Sequence, residues 1–191
     1  MSSKRRLFFI AGANGSGKTT LAKEFLQEER ELVFLNADDI AYNISPNNIE
    51  KVKISAAKEL YKRLDILFEE KSSIAIETTL SGNNYIKIID KAKKLNYYTV
   101  IVYSFVDNPQ ICINRIKFRV LKGGHDVPEE DVRRRFFRSR FNFWYKYKDL
   151  VEDWMLFYNG MSRYILVGKK EKDGINILDE DLYKMFIRNI K

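Results

Sequence analysis

A glycine-rich stretch near the start of the chain has the composition and spacing of a polyphosphate-binding loop. Residues 12–19 read Gly-Ala-Asn-Gly-Ser-Gly-Lys-Thr and match the pattern GxxxxGK[ST] in full. Glycines let main-chain N–H groups turn toward an anion, and the helix that follows adds the positive end of its dipole. We therefore assign ATP binding to this loop and the residue after it, with Thr19 also as the Mg²⁺ ligand: Gly12, Ala13, Asn14, Gly15, Ser16, Gly17, Lys18, Thr19 and Thr20.

Acidic residues follow two further apolar runs. Asp38 and Asp39 come after residues 33–37, and Glu77 comes after residues 73–76. Ligands bind at the carboxyl ends of parallel strands, where an acid can deprotonate an attacking hydroxyl or help to hold Mg²⁺. We assign Asp38 as the catalytic base or orienting group and Glu77 as a substrate-binding or outer metal-shell residue; the reverse assignment stays open. Asp39 is interpreted as a helix-start acid stabilised by the dipole.

Hydroxyl side chains stand directly after Glu77, at Thr78, Thr79 and Ser81. In the loop between a strand and a helix, such hydroxyls can bond the hydroxyls or phosphates of a substrate. The alternative is ordinary helix capping, which fits Ser81 well. We assign Thr79 to substrate binding.

Arginines are concentrated on two predicted helices that Gly123-Gly124 separates. Such a pair of helices could close over a triphosphate, stabilise the transferring phosphoryl group and exclude water. Residues four apart share a helix face, so we assign catalysis to Arg119 and Arg135 and nucleotide binding to Arg115 and Arg138. The remaining arginines are interpreted as a solvated basic face, Arg133 and Arg140 above all, and His125 as a residue that structures the loop.

An aromatic run extends from residue 136 to residue 147. Exposed rings in such a run could stack on nucleic-acid bases. Their helical spacing favours a stripe that faces the core instead.

Apolar runs of strand length alternate with segments of helical periodicity. Strands are predicted at residues 7–11, 32–36, 73–77, 97–106, 154–158 and 164–167. Helices are predicted at residues 19–29, 47–70, 83–94, 109–121, 128–148 and 179–190. This alternation predicts an α/β fold: a P-loop NTPase-type three-layer sandwich with a mostly parallel sheet, helices on both faces and a helical, arginine-bearing lid at about 109–148.

Composition limits the classes of protein and site. A chain of 191 residues suits a single domain, 1–191, and its net charge of +8 suits anionic ligands. One cysteine and one histidine exclude an intrachain disulfide and a cysteine-cluster or multi-histidine metal site. The apolar run after Lys4-Arg5-Arg6 is too short for a signal peptide, and no stretch approaches transmembrane length. We expect a cytoplasmic protein without a membrane partner.

Taken together, these segments resemble the zeta-toxin-like P-loop kinases, in particular their short, single-domain branch. The similarity spans residue 7 to about residue 159. The segments that carry it are residues 11–19, Asn-Ala-Asp at 36–38, Glu-Thr-Thr-Leu-Ser-Gly at 77–82, Arg-Val at 119–120, Gly-Gly-His-Asp-Val-Pro at 123–128 and Arg-Arg-Phe at 134–136.

The resemblance implies a kinase that uses ATP and Mg²⁺ to phosphorylate the sugar of UDP-N-acetylglucosamine, acting as the toxin of a toxin–antitoxin pair. It implies Asp38 as base, Lys18 as the phosphate-binding lysine, Glu77 and Thr79 on the sugar-nucleotide side, and arginines of the 115–138 hairpin on the phosphates. The chain departs from the family where Ser81 replaces an arginine, and where Tyr158-Asn159-Gly160 replaces Asp-Asn-Ser. The second departure leaves Asn159 as the adenine-side candidate.

These observations predict a kinase for a small hydroxylated acceptor, with a nucleotide sugar as substrate and an antitoxin as candidate protein partner. The first alternative is a nucleic-acid kinase or RNA-processing P-loop ATPase, which the net positive charge and the aromatic run suggest. A nucleotide switch is a second alternative, although the chain has no NKxD motif of GTPases. A non-catalytic ATP-binding interaction module is the third.

Overall fold

A central β-sheet organises the molecule, which a computed structural model describes at residues 4–26, 32–46, 48–160, 163–172, 174–188 and 190. Residues 27–29, 47 and 189 of the predicted helices lie outside this part of the chain. The strands are β1 (Arg6–Ala11), β2 (Leu32–Asn36), β3 (Ser73–Thr78), β4 (Tyr98–Phe105), β5 (Asp153–Tyr158), β6 (Ile165–Glu171) and β7 (Gly174–Ile177). Their order across the sheet is β2-β3-β1-β4-β5-β6-β7.

Helices connect most of these strands. They are α1 (Lys18–Leu26), α2 (Ala37–Ile44), α3 (Ile49–Glu69), α4 (Asn84–Lys94), α5 (Pro109–Leu121), α6 (Glu129–Asn142) and α7 (Glu180–Arg188). A π-helical turn, Phe143–Tyr147, continues α6. Asn108 caps α5 by accepting hydrogen bonds from the N–H groups of Gln110 and Ile111, just before a proline at the first helical position.

The sheet is parallel from β2 to β5, and its last two pairings are antiparallel. β1 lies between β3 and β4, so the loop that leaves β1 emerges at the centre of the sheet. Glu77 of β3 is in register with Ile10 on one side and Asn36 on the other. The phosphate loop, Glu77 and the start of α2 therefore meet at one edge.

Side chains alternate between the two faces of the sheet. On one face, Phe8, Ile10 and Val102 pack with Leu21 and Ala22 of α1. On the other face lies the main core, in which side chains of α3, α4, α7 and the π-helical turn cover those of β1, β3, β4, β5 and β6. α5 and α6 pack together in a separate cluster with Ala13 of the phosphate loop and Val106.

The predicted fold class is confirmed: a mostly parallel sheet with helices on both faces. Two elements, α2 and β7, are not among the predicted ones. The single helix predicted at 128–148 is α-helical only to Asn142 and π-helical beyond it. Within the described residues, no helix is both long and apolar enough to cross a membrane.

Candidate active site

The phosphate loop turns tightly between β1 and α1. The Lys18 Nζ atom donates to the Ala13 main-chain oxygen at 2.9 Å, so the lysine folds back over its own loop. Gly15 and Gly17 have φ angles of +79° and +100°, which other residues rarely adopt. A Cβ atom on Gly17 would also collide with the side-chain amide of Asn159. The glycines of the motif are thus required by the backbone path.

Side chains from distant segments hold this loop from outside. Ser104 Oγ and Asn159 Nδ2 each donate to the Ser16 main-chain oxygen at 2.8 Å. The Tyr164 hydroxyl donates to the Gly17 oxygen at 2.8 Å, and Arg115 donates to the Asn159 oxygen at 2.7 Å. The loop is therefore fixed by residues of β4, α5 and the segment between β5 and β6.

Glu77 is the centre of a buried polar cluster. Its Oε2 atom accepts hydrogen bonds from Thr19 Oγ1 at 2.9 Å and from Asn36 Nδ2 at 3.2 Å. Its Oε1 atom lies 4.0 Å from Lys18 Nζ, and both side chains are at most one-tenth exposed. The carboxylate thus joins the lysine and the threonine of the phosphate loop to the end of β2.

Burial shifts both charged groups of this cluster toward their neutral forms. Desolvation raises the pKa of Glu77, although nearby Lys18 and the Thr19 hydroxyl oppose the shift. Desolvation also lowers the pKa of Lys18, against the attraction of Glu77 and Asp38. The two charges compensate each other incompletely, so a ligand that brings both a cation and a polyphosphate would complement them.

Asp38 lies in the first turn of α2, beside this cluster. Asn36 is the N-cap of α2, since its side-chain oxygen accepts the Asp38 N–H at 2.8 Å. The Asp39 carboxyl is also in the first turn, as predicted, and burial followed by the charge of Asp38 raises its pKa.

Three adjoining clefts surround the loop. The β3 cleft, about 410 Å³, is lined by Lys18, Asp38, Glu77, Thr79 and residues of α6, among others. The loop cleft, about 240 Å³, is lined by Asn14, Gly15, Gly17, Lys18, Thr19, Thr20, Asp38, Glu77, Arg115, Ile116 and Arg119. The Asn159 cleft, about 470 Å³, is lined by Gly17, Thr20, Glu24, Arg115, Asn159, Arg163 and Tyr164. Asn14, Lys18, Asp38 and Glu77 line both the β3 cleft and the loop cleft.

The predicted arginines divide between these clefts. Arg115 and Arg119 of α5 line the loop cleft, and Arg119 donates to the His125 main-chain oxygen at 2.6 Å. Arg135 lines the β3 cleft and donates to Asn14 Oδ1 at 3.3 Å, while Asp131 holds its other nitrogen. Arg138 also lines the β3 cleft and is not among the lining residues of the loop cleft or the Asn159 cleft.

Arg140 overturns one interpretation of the sequence. It is buried, not solvated: its guanidinium donates to the Val106 main-chain oxygen and lies 4.3 Å from the centroid of the Phe136 ring. Desolvation lowers its pKa to about 10. The spacing of the arginines along the sequence does not predict that Arg140 is buried, because its aromatic partners Phe105 and Phe186 come from distant elements. Arg133, by contrast, is exposed and donates to Gln110.

Several site residues escape sequence reasoning. Asn36 binds Glu77, while Ser104 and Tyr164 bind the phosphate loop. Asn36 stands at the end of a predicted strand, which is a position that faces ligands in parallel sheets. Ser104 and Tyr164 carry no such signal, because they lie 88 and 147 positions from their partners.

The oxygen donors of the cluster fit a magnesium ion. Mg²⁺ prefers hard oxygen ligands and keeps several waters when it binds a polyphosphate. The Thr19 hydroxyl and the Glu77 carboxylate, 2.9 Å apart, supply such donors beside the phosphate loop. A divalent cation would also offset the incomplete neutralisation of Glu77.

Comparisons with known proteins agree with this geometry. A protein of Haemophilus influenzae described as uncharacterized is 32% identical over 133 residues, which are 70% of this chain and 94% of that protein. The AvrRxo1-ORF1:ORF2 complex with ATP superposes with a TM-score of 0.73 at 18% identity, over 97% of this chain and 64% of that one. This chain thus spans less than two thirds of that structure's length.

The PezAT chromosomal toxin–antitoxin system of Streptococcus pneumoniae superposes with a TM-score of 0.71 at 14% identity, over 97% of this chain and 80% of that one. The family model described as Zeta toxin matches residues 2–145, which include the phosphate loop, Asp38, Glu77 and the arginines of α5 and α6. With the sheet order and the loop geometry described above, the chain is a member of the zeta toxin family with the fold of a P-loop kinase.

Proposed function

We propose that this protein is an ATP- and Mg²⁺-dependent kinase that phosphorylates a hydroxyl of a nucleotide sugar such as UDP-N-acetylglucosamine. The observation that carries the proposal is that Asp38 and Lys18 line the same two clefts, together with Glu77. A nucleotide held by Lys18 would therefore face a carboxylate that can receive the proton of an incoming alcohol.

In this proposal the Asp38 carboxylate accepts the proton of the acceptor hydroxyl while the hydroxyl oxygen forms its bond to the γ-phosphorus. The bond between that phosphorus and the β–γ bridging oxygen breaks, and ADP leaves with the electron pair. Lys18 of the loop, Arg119 and Arg135 line the two clefts and would stabilise the negative charge that spreads over the transferring group.

Thr19 and Glu77 would hold Mg²⁺, which neutralises charge on the β- and γ-phosphates when bound. Because Glu77 accepts directly from Thr19, its place beside the metal is better supported than a contact with the acceptor. Thr20, Arg115 and Asn159, which line the Asn159 cleft, would then bind the nucleoside end of ATP.

The β3 cleft is the proposed acceptor site. Thr79, whose hydroxyl lies 2.9 Å from that of Ser81, lines it together with Asp38. Three arginines of α6, at 134, 135 and 138, also line it, which suits an acceptor that carries phosphates. We accordingly propose Arg138 as an acceptor-binding residue, with α5 and α6 forming the lid of a single domain.

An antitoxin is the proposed protein partner. The PezAT structure is described as a toxin–antitoxin system, and the AvrRxo1 structure is a complex of two proteins. Both share the fold of this chain, which is the support for a neutralising partner here.

The base assignment is tested by Asp38→Asn, with Asp39→Asn as the matched control on the same helical turn. We expect Asp38→Asn to lower the rate of phosphoryl transfer by at least about 10²-fold, the usual contribution of a general base, with ATP binding retained. Asp39→Asn should keep most of the activity, because Asp39 is not among the lining residues of either cleft. Equal activity of Asp38→Asn and the native protein would contradict the assignment.

The acceptor is identified by incubating the protein with ATP, Mg²⁺ and a metabolite extract, followed by mass spectrometry. A nucleotide sugar that gains one phosphate is the expected product. Tight ATP binding without any phosphorylated product would favour the non-catalytic interaction module instead.

A further inference from the structure

Three aromatic rings are exposed on the outer side of α6 and the π-helical turn. Phe137, Phe141 and Tyr145, here called the aromatic strip, are 44%, 44% and 64% exposed. The same run also contains Phe136, Phe143 and Tyr147, which are buried in the core, so the predicted core-facing stripe accounts for only part of it. A contiguous exposed apolar patch on a soluble domain is a common mark of a ligand surface.

The aromatic strip continues the arginine-lined wall of the β3 cleft. Arg134 and Arg138 line that cleft, and Phe141 and Tyr145 follow at three- and four-residue steps, which keep to one side of a helix. The Phe141 and Tyr145 rings are in contact, with centroids 4.9 Å apart. Two cations are thus followed by two rings along one line.

Lys146 ties the aromatic strip to the rim of the cleft. Its Nζ atom donates to Asn83 Oδ1 at 3.1 Å and lies 5.9 Å from the centroid of the Phe141 ring. Asn83 stands between Gly82 and Asn84, and both of these line the β3 cleft. The Phe141 ring therefore lies beside the mouth of the cleft, not on a remote surface.

We propose that the aromatic strip binds the base of a nucleotide-type acceptor whose phosphates bind Arg134 and Arg138. This inference rests on the proposed function, since it requires that the acceptor occupy the β3 cleft. Guanidinium groups recognise phosphates, and exposed rings stack on bases of any sequence. At about 1.5 Å per residue, Arg138 and Tyr145 are about 10 Å apart along the helix, which suits the reach of a nucleoside.

The charge pattern selects this occupant over a nucleic acid. Arg134 and Arg138 lie at one end of the row, on the wall of the cleft, and Lys146 contacts its rim beside Phe141, so these cations can surround a single diphosphate. A strand of nucleic acid would require cations along the whole row of rings to follow its repeating phosphates. In this proposal the sugar of the acceptor lies at Asp38, its diphosphate binds Arg134 and Arg138, and its base stacks on the aromatic strip.

The experiment compares two probes by isothermal titration calorimetry: UDP-N-acetylglucosamine and N-acetylglucosamine 1-phosphate, which lacks the base together with its ribose and one of the two phosphates. In the double variant Phe141→Ala/Tyr145→Ala, we expect affinity for the first probe to fall by about tenfold or more, from the loss of base stacking. Affinity for the second probe and for ATP should be unchanged. Tyr145→Phe, which keeps the ring, should bind both probes as the native protein does.

Phe118→Ala is the matched control, because Phe118 is 59% exposed on α5 and is not among the lining residues of the three clefts. It should change neither affinity. An equal loss for both probes in the double variant, or no loss for either, would overturn the proposal. Equal affinity of the native protein for the two probes would also overturn the proposal. The kinase proposal would still stand in that case if one of the probes is phosphorylated.

A short single-stranded oligonucleotide serves as the third probe. If the double variant loses oligonucleotide binding but keeps its affinity for UDP-N-acetylglucosamine, the strip belongs to the nucleic-acid alternative and the proposal is wrong. Phosphoryl transfer to any acceptor, measured in parallel, separates failure of this inference from failure of the proposed function.

Discussion

At the scale of single residues, the site depends on a lysine and a glutamate that are buried together. Lys18 and Glu77 lie 4.0 Å apart, yet burial lowers the pKa of Lys18 and raises the pKa of Glu77. Both shifts favour the neutral form of the side chain. Such a pair costs free energy in the absence of a ligand, because neither charge recovers its full hydration. Binding of a polyphosphate and a cation would relieve that cost, which links the shifts to ligand affinity.

The lowered pKa of Lys18 predicts a proton uptake on ATP binding. Phosphate favours the charged lysine, so binding should raise its pKa again. Affinity for ATP should therefore fall as the pH rises through the lowered pKa, at values below the ordinary 10.5. The measurement is calorimetry in two buffers of different ionisation enthalpy, which reports the protons taken up.

Lys18→Arg is the control for this prediction, because an arginine stays protonated throughout the range. Its ATP binding, although weaker, should show no such uptake. An ATP affinity of the native protein that stays constant up to pH 10.5, while the fold persists, would contradict the prediction.

Local spacing predicts only part of this site. The phosphate loop, Asp38 and Glu77 follow from motifs and from acids at strand ends, because each is recognised from the few residues next to it in the sequence. Asn36, Ser104 and Tyr164 do not, because their partners are set by the register of the sheet and by chain segments 41, 88 and 147 positions away. A pattern along the sequence carries no record of such contacts.

At the scale of elements, α6 serves two surfaces at once. One side faces the β3 cleft with arginines, and the other enters the core with Val132, Phe136 and Arg140. The buried arginine satisfies the Val106 oxygen at the end of β4 and packs against aromatic rings. The helix is thus anchored beneath the residues that the acceptor would contact.

Arg140→Met tests this anchor, with the exposed Arg133→Met as its control. Methionine keeps much of the volume but leaves the buried Val106 oxygen unpaired, which should lower the free energy of unfolding by roughly 1–3 kcal/mol. The control should change it by no more than about 0.5 kcal/mol. Urea unfolding followed by circular dichroism measures both; comparable values for the two variants would argue against an anchoring role.

Element prediction fails where strand and helix adjoin directly. Asn36 is both the last residue of β2 and the cap of α2, so the usual loop signal between two elements is missing. The short β7 follows β6 through an antiparallel pairing at the edge of the sheet, with little apolar alternation. The longer strands and helices are predicted well, because burial imposes their periodicity.

At the scale of the whole molecule, the fold closes its nucleotide site with the last third of the chain. The family match ends at residue 145, whereas Asn159 and Tyr164 hold the loop at residues 16 and 17. Strand order explains this: β5 lies next to β4, two positions from the strand that delivers the loop. Sequence motifs locate the site, but the hydrogen bonds from Asn159 and Tyr164 that hold the phosphate loop come from residues outside those motifs.

Tyr164→Phe should weaken ATP binding without unfolding the protein. The variant removes one hydrogen bond, to the Gly17 oxygen, and keeps the ring. A loss of about 1 kcal/mol, or roughly fivefold in Kd, is expected. Tyr42→Phe is the control, since Tyr42 is 57% exposed on α2. Equal ATP affinities of the two variants would mean that the hydroxyl does not support the loop.

The ties from Asn159 and Tyr164 also set when the site can form during translation. A nascent polypeptide that carries the glycine motif but has not yet reached Tyr164 lacks the side chains that close around Ser16 and Gly17. Nucleotide capture should therefore begin only once most of the chain has left the ribosome. A fragment of this chain that ends before Asn159 lacks both hydrogen bonds and should therefore bind nucleotide more weakly than the full chain.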